Sequence, residues 1–459
     1  MRRRKRVRGK SPAQHDRELL RDLVTAARFI FGYFNDNLLK HLDDPRSKQG
    51  RGWKSATPIL KAVCLGLAAG CKGLKAVERL TDSMFSSVRE SLDILRRVPD
   101  TTARGLLVKL DPLQLSKLLY IVGYDAWRRG AFQRIEGFPF HVISDDGKYP
   151  TVTDVGQSKT QGYKKSPYLQ VHHDEEGNPQ HGEIRTINSC LVTAKGQPIV
   201  GSVPVPGNTN EQVTFRQAFG ELVQYYGRLF KLVMYDAGAA CAENARIVRQ
   251  AGKHYLFQIA NENWVMYKTM ALLLQNRRLQ ATHTNTISAN EWVDAELTFA
   301  SVKETKKSLT MWSSVRTIFC VVNRHFKDGE LVSTKVRYFA TSMAVSELSA
   351  DKWLELLIRR WGVEILHMVL DVSFEEDDHP WIPADARGAL AVGLLRRVVM
   401  LLMTLHKFIT LQDEAKQHMP WTELMALIKR VLEWPSGQGA INLFDGLTKH
   451  QYQVPPALA

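Results

Sequence analysis

The stretch RRWGVEILHMVLDVSFEEDD, residues 359–378, constrains this chain more than any other. At helical spacing Arg360, Glu364, His367 and Asp371 fall at i, i+4, i+7 and i+11 and form one polar stripe. Trp361, Ile365, Met368 and Val372 form an adjacent apolar stripe, while Val363, Leu366, Leu370 and Phe374 carry the apolar surface around most of the remainder. A helix apolar on nearly every side is expected to be buried. Charged groups taken into such a place need a partner, a cation or a shifted ionisation, because unpaired burial costs several kcal/mol, roughly. Taken alone, the stripe reads equally well as an internal ion pair between Arg360 and Glu364. Two aspartates upstream, Asp146 and Asp236, give it a second reading.

FHVISDDG, residues 140–147, is a short apolar run that ends in two aspartates and a glycine, as a buried strand does on leaving a sheet. FKLVMYDAGAA, residues 230–240, repeats the pattern, and HYLFQIA, residues 254–260, is a third compact strand. Helical patterns over 210–224 and 240–250 separate them, and strand, helix, strand in succession implies a sheet with a parallel portion and helices packed on it. SPYLQVHHD and IRTINSCLVTAKGQPIVGSVPV add two or three strands, with a turn at Lys195–Gln197. Alternation sends Asp146 to the Ser144 face and Asp145 to the Ile143 face, so Asp146 is the ligand if Ile143 packs inward. Spacing alone leaves that pair open.

Singly, each of these aspartates reads as a turn former or helix cap. Together with Glu364 they place three carboxylates around a small volume, where like charges raise each other's pKa unless a cation neutralises them. Oxygen ligands without a cysteine or multi-histidine cluster select Mg²⁺, or Mn²⁺ in its place, over zinc. Two such ions about 4 Å apart suit phosphodiester cleavage.

Charge supplies the substrate class. The net charge is +15, seven basic residues fall in the first ten, and the rest of the chain still carries +8. A polyanionic partner follows, with Arg2, Arg3, Arg4, Lys5 and Arg6 of a disordered tail (residues 1–14) making phosphate contacts. Residues 15–125 read as an all-helical unit for DNA binding or dimerisation, broken by LDDPRSKQGRGW. Residues 137–262 begin the catalytic core. A β-rich insertion follows over 263–343, where Lys303, Lys306, Lys307 and Arg316, with Arg324 and Lys335, line a DNA path. Residues 344–436 complete the core with the glutamate helix, and 437–459 form a C-terminal tail, disordered over 453–459. Five scattered cysteines make neither a disulfide framework nor a zinc site and suit a reducing cytoplasm. The apolar run 389–405 is interrupted by Arg396 and Arg397, so no membrane span is expected.

Several motifs are familiar together: DPR at Asp44–Arg46, DGK at Asp146–Lys148, HGEIRT at His181–Thr186, YDAGA at Tyr235–Ala239 and WGVEILHMVLDVSFEED at Trp361–Asp377. On these the chain resembles the H-repeat-associated (ISAs1-type) insertion-sequence transposases of bacteria, within the IS4-like DDE superfamily. The resemblance implies an α/β, RNase H-like catalytic core, a mixed sheet flanked by helices, with a β-rich insertion and an all-helical N-terminal domain. It puts the first acid at Asp146, the second at Asp236 and the glutamate at Glu364, holding two Mg²⁺ ions for DNA end cleavage and 3′-OH strand transfer. Arg360 would pair with the glutamate or reach a phosphate, His367 would orient a ligand or water, and Lys148 would touch the scissile strand. The implied partners are duplex DNA with terminal inverted repeats and target DNA, met by a homodimer at the nucleoid. Leu357, Ile365 and Asp371 stand where the superfamily signature has tyrosine, asparagine and lysine. Two rivals keep part of this reading: a domesticated nuclease that cuts without joining, and a non-catalytic DNA-binding protein.

Overall fold

Short polar caps start several of the helices. Asp111 accepts from the Leu113 amide at 3.0 Å and Pro112 occupies the first turn, which opens a long helix. Asn210, Ser349 and Asp385 cap later helices in the same way. The computed structural model describes residues 12–46, 55–153, 166–302, 312–383, 385–411, 413–434 and 448–458. Arg2, Arg3, Arg4, Lys5, Arg6, Lys303, Lys306 and Lys307, assigned above to DNA contact, lie outside those residues.

The N-terminal region is helical: α1 (Pro12–Tyr33), α2 (Asp36–Leu39), α3 (Thr57–Ala68) and α4 (Leu74–Ser83), then α5 (Ser86–Ser91), α6 (Asp100–Leu107) and α7 (Pro112–Arg128). A mixed α/β domain follows. Its first strands are β1 (His141–Thr153), β2 (Leu169–His173), β3 (Pro179–Leu191) and β4 (Ile199–Val205). Then come α8 (Glu211–Tyr226), β5 (Phe230–Tyr235), α9 (Ala242–Gln250) and β6 (His254–Ile259). β3 is antiparallel to β1 and to β4, whereas β5 runs parallel to β1 and β6 parallel to β5. Four antiparallel strands, β1 to β4, followed by the parallel β5 and β6, with α8 and α9 in the connections, are consistent with the expected RNase H-like arrangement.

After α10 (Val265–Leu274) come β7 (Ala281–Ser288), β8 (Glu291–Ser301), β9 (Thr317–Lys327) and β10 (Glu330–Thr341). This β-rich segment continues the same sheet, because β10 pairs with β6 and the order runs β2-β3-β1-β5-β6-β10-β9-β8-β7. The β9 to β10 connection is a two-residue turn with Asp328 at φ 51° and Gly329 at φ 84°, the left-handed pair that suits strand twist.

The chain closes with α11 (Ala350–Arg359), α12 (Gly362–Val372), α13 (Ala386–Leu405), α14 (Glu414–Gln417) and α15 (Trp421–Leu432). α13 lies between α3 and α7 on one side and β1 and β4 on the other, so one continuous apolar core joins the helical region to the sheet. With the turn that follows it, Ala386–Thr410 has the length and apolarity of a membrane span, yet it is wholly buried inside the protein.

Three expectations need correction. The helix read over 359–378 is two, α11 and α12, broken at Arg360 and Trp361. α12 is buried on one side only: Val363, Leu366 and Leu370 pack inward, while Ile365, Met368 and Val372 are 54%, 56% and 71% exposed. Hydropathy does not say which of two adjacent apolar stripes a short helix turns to its sheet. The terminal segment is also ordered, since the His450 amide donates to the Gly32 carbonyl at 2.7 Å, the Tyr452 hydroxyl to the Tyr33 carbonyl at 2.8 Å, and the Gln453 amide to Asp125 at 2.8 Å. Its lack of periodicity reflects docking by single side chains rather than by a regular element.

Candidate active site

In the parallel register of β1 and β5, Asp145 stands opposite Tyr235, so the next residues, Asp146 and Asp236, reach one edge of the sheet at the same level. The two strands differ beyond that point. β5 ends, and Asp236 accepts from the Gly238 amide at 2.7 Å, closing a small turn. β1 does not end at the aspartates, as the sequence pattern implied, but runs on against β3, pairing Asp146 with Asn188 and Lys148 with Thr186. Ile143 and Asp145 are buried, and Asp146 opens toward the edge.

α12 crosses this edge and presents the expected stripe. Arg360 is 4% exposed and Glu364 51% exposed, with the guanidinium Nη2 at 3.5 Å from Glu364 Oε1. The Nε and Nη1 groups of Arg360 find no partner among the described residues. His367 Nδ1 faces Asp146 Oδ2 at 3.5 Å, and Lys148 Nζ meets Asp371 at 2.6 Å and Asp377 at 3.4 Å. Lys148 is therefore held inside the protein by two carboxylates, instead of standing free for a nucleic-acid strand.

The electrostatics tie the acids together. Burial, then Asp236 and Glu364, push the Asp146 carboxyl up to about 7, against the pull of Arg360. Burial also raises Glu364, with Arg360 and Arg337 opposing and Asp236 adding to the rise. The His367 ring is kept neutral: burial first, then Arg397 and Lys148, lower its pKa to about 3. Among the described residues no three His, Cys, Asp or Glu side chains close around one point in this conformation. The acids act on one another through their charges, and the donor atoms they offer are all oxygen.

Of the basic residues expected at a DNA path, Arg316 is not at this edge. It lies beside Glu347, which pairs with Lys231 at the start of β5, the opposite end of that strand. The insertion instead contributes Arg337, whose guanidinium lies 5.0 Å from the Trp361 ring centre and acts on both Arg360 and Glu364. A cavity of about 300 Å³ opens here between the β-ribbon and α11, lined by His283, His325, Lys335, Arg337 and Trp361 among others.

Sequence reasoning missed a fourth carboxylate. Glu211 begins α8, and a Cβ on Gly147 would lie 2.0 Å from its Oε1, while one on Gly238 would lie 2.9 Å from its Oε2. It thus sits between β1 just after Asp146 and the turn at Asp236, raised by burial and then by Asp236. Asn210 before it signals only a helix start, so no local pattern could have found it. Glu376, beyond the end of α12, is fully buried and bonded by Arg397 at 2.7 and 3.2 Å.

What fold and site define is a class: a mixed α/β protein with a helical N-terminal region and an acidic centre at the carboxyl end of β5, faced by a buried arginine. No protein-family model matches the chain, and no curated protein matches it. Among solved structures it is similar to a cryo-EM structure of piggyBac transposase synaptic complex with hairpin DNA, at 10% identity and a TM-score of 0.43, over 90% of this chain and 80% of that one.

Proposed function

We propose that this chain is an insertion-sequence transposase of the DDE kind, which cuts DNA at element ends and joins the freed 3′-OH to target DNA. The observation that supports the reading is electrostatic: Asp146 and Glu364 are each raised by burial and by the Asp236 charge. Asp146, Asp236 and Glu364 would hold two Mg²⁺ ions, with Mn²⁺ able to replace them. When bound, such ions supply an activated oxygen nucleophile and stabilise the departing 3′ oxygen.

The chain's own groups have separate tasks in this reading. Arg360, with two unpartnered N–H groups, receives a phosphate oxygen while its third nitrogen steadies Glu364. Lys148 braces α12 through Asp371. Arg337 and Lys335 line the route by which a strand approaches, and the tail of Arg2, Arg3, Arg4, Lys5 and Arg6 adds contacts without sequence preference. The resemblance of its motifs to those of ISAs1-type transposases suggests inverted-repeat ends as the cognate DNA, a dimer in the DNA complex and a cytoplasmic, nucleoid-bound site of action.

The test is metal-dependent cleavage and joining of a short duplex bearing the flanking inverted repeat, comparing wild type with Glu364→Gln. The expected result is joined product with Mg²⁺ or Mn²⁺ that the substitution abolishes. Cutting without joining would make the chain a nuclease, and tight binding with neither reaction on a verified end would make it a DNA-binding protein.

A further inference from the structure

Behind His367 runs a fully buried chain of polar groups that the reaction outlined above does not use. The Glu376 carboxylate accepts from Arg397 Nη1 and Nη2 at 2.7 and 3.2 Å. Arg397 Nη1 also donates to the Gly393 carbonyl at 2.7 Å, and its Nε donates to Asn188 Oδ1 at 2.9 Å. Asn188 Oδ1 further accepts from the Ser202 hydroxyl at 2.8 Å, and Asn188 Nδ2 lies 3.0 Å from His367 Nε2.

The donor inventory fixes every orientation in this chain. A guanidinium nitrogen can only donate, so the Asn188 atom facing Arg397 must be its oxygen and the atom facing His367 must be its amide nitrogen. That nitrogen also can only donate, so His367 Nε2 must be bare. A neutral ring with Nε2 bare carries its proton on Nδ1, the nitrogen that faces Asp146 Oδ2 at 3.5 Å. A doubly protonated ring would set two donors against each other at Asn188.

We infer that Asn188, held by Arg397 and Glu376, is a positioning residue that locks His367 as an Nδ1–H donor toward Asp146. So locked, His367 has no lone pair on the side of the acids, and it neither binds a cation nor accepts a proton there. It presents an N–H to Asp146 Oδ2 and so orients that oxygen. This rests on the proposed function for its purpose, though not for its geometry.

The test is a long-range ¹H–¹⁵N correlation on the full chain labelled with ¹⁵N-histidine, the His367 pattern being assigned by its loss in His367→Gln. The wild type is expected to show Nδ1 protonated and Nε2 bare near neutral pH. In Asn188→Asp the group facing Nε2 becomes an acceptor, so the ring should move its proton to Nε2 or take a second one. Cleavage should then fall on the order of tenfold in kcat with KM for DNA unchanged.

A wild-type proton on Nε2, or an unaltered Nδ1–H pattern in Asn188→Asp, would overturn the inference. Should that variant fail to fold, the wild-type pattern alone decides. An intact Nδ1–H pattern in a wild type that cleaves no DNA would strike the functional reading and leave the lock standing; active cleavage with the proton on Nε2 would do the reverse.

Discussion

Replacing Asp146 by asparagine should stabilise the metal-free protein, and only at high pH. The Asp146 carboxyl is lifted from 3.8 to about 7, first by burial and then by Asp236 and Glu364. Its ionisation therefore costs roughly 4 kcal/mol more in the folded chain than in the unfolded one, taken as an upper bound. The sign follows from the order of the two pKa values. Because the folded value is the higher, the stability gained by holding the proton is complete below about pH 4 and is lost as pH rises to about 7. Asparagine, neutral throughout, escapes that loss. The advantage of Asp146→Asn over wild type should thus widen by up to roughly 3 kcal/mol between about pH 5 and about pH 8. Asp145, also raised to about 7 by burial, titrates in both proteins and cancels. Urea unfolding in the presence of a chelator, followed by tryptophan fluorescence at both pH values, measures the gap. Added Mg²⁺ should narrow it by stabilising wild type alone. A gap that does not change with pH, or a variant less stable at the higher pH, would refute the argument that mutual repulsion and burial dominate this site.

Two further outcomes follow from the packing around the acids. Arg397→Met strands the Glu376 carboxylate in a fully buried position, with Arg396 no nearer than 3.9 Å, and should cost about 3 to 5 kcal/mol in the same urea assay. Gly147→Ala drives a methyl group toward Glu211 Oε1, the far end of a side chain that can swing away. Stability should change by less than about 1 kcal/mol, whereas the Mg²⁺ concentration for half-maximal cleavage should rise on the order of tenfold.

Local periodicity carried much of the site into the sequence. The i, i+4, i+7 spacing of Arg360, Glu364 and His367 needs no tertiary information, and their stripe survives even though the helix breaks at Trp361. The turn at Asp236 was equally local. What escaped is long-range. Glu211 reaches the acids because α8 starts beside Gly147 of β1 and the turn at Asp236, and Asn188 does so because β3 pairs with β1. Glu376 carries no sequence signal of burial, because an acid just past a helix end is usually solvated. Here Glu375, at φ 49°, turns the chain so that Glu376 points inward to Arg397. Arg397 in turn looked like an interruption of an apolar helix, and it is the partner that makes the acid's burial possible.

The acids sit in a chain whose net charge is +15, and that opposition separates the readings of its function. Along α12 the stripe pairs each group with an opposite or complementary one: Arg360 with Glu364, His367 with Asp146, Asp371 with Lys148. Lys148 is thereby occupied, and Arg360 is the cation that bears on Asp146. A phosphate drawn in by the surplus of lysine and arginine would meet carboxylates that Arg360 only partly offsets. At about 4 Å and an effective dielectric of about 20, each such encounter is unfavourable by roughly 4 kcal/mol. A divalent cation between the two reverses the sign. Under the proposed function, cation and DNA therefore bind cooperatively, each raising the other's affinity by the same factor. A chain that only binds DNA has no use for this arrangement, since acids at the contact would simply weaken it. Under the proposed function, the acids Asp146, Asp236, Glu211 and Glu364 serve a reaction on the phosphate rather than a grip on it.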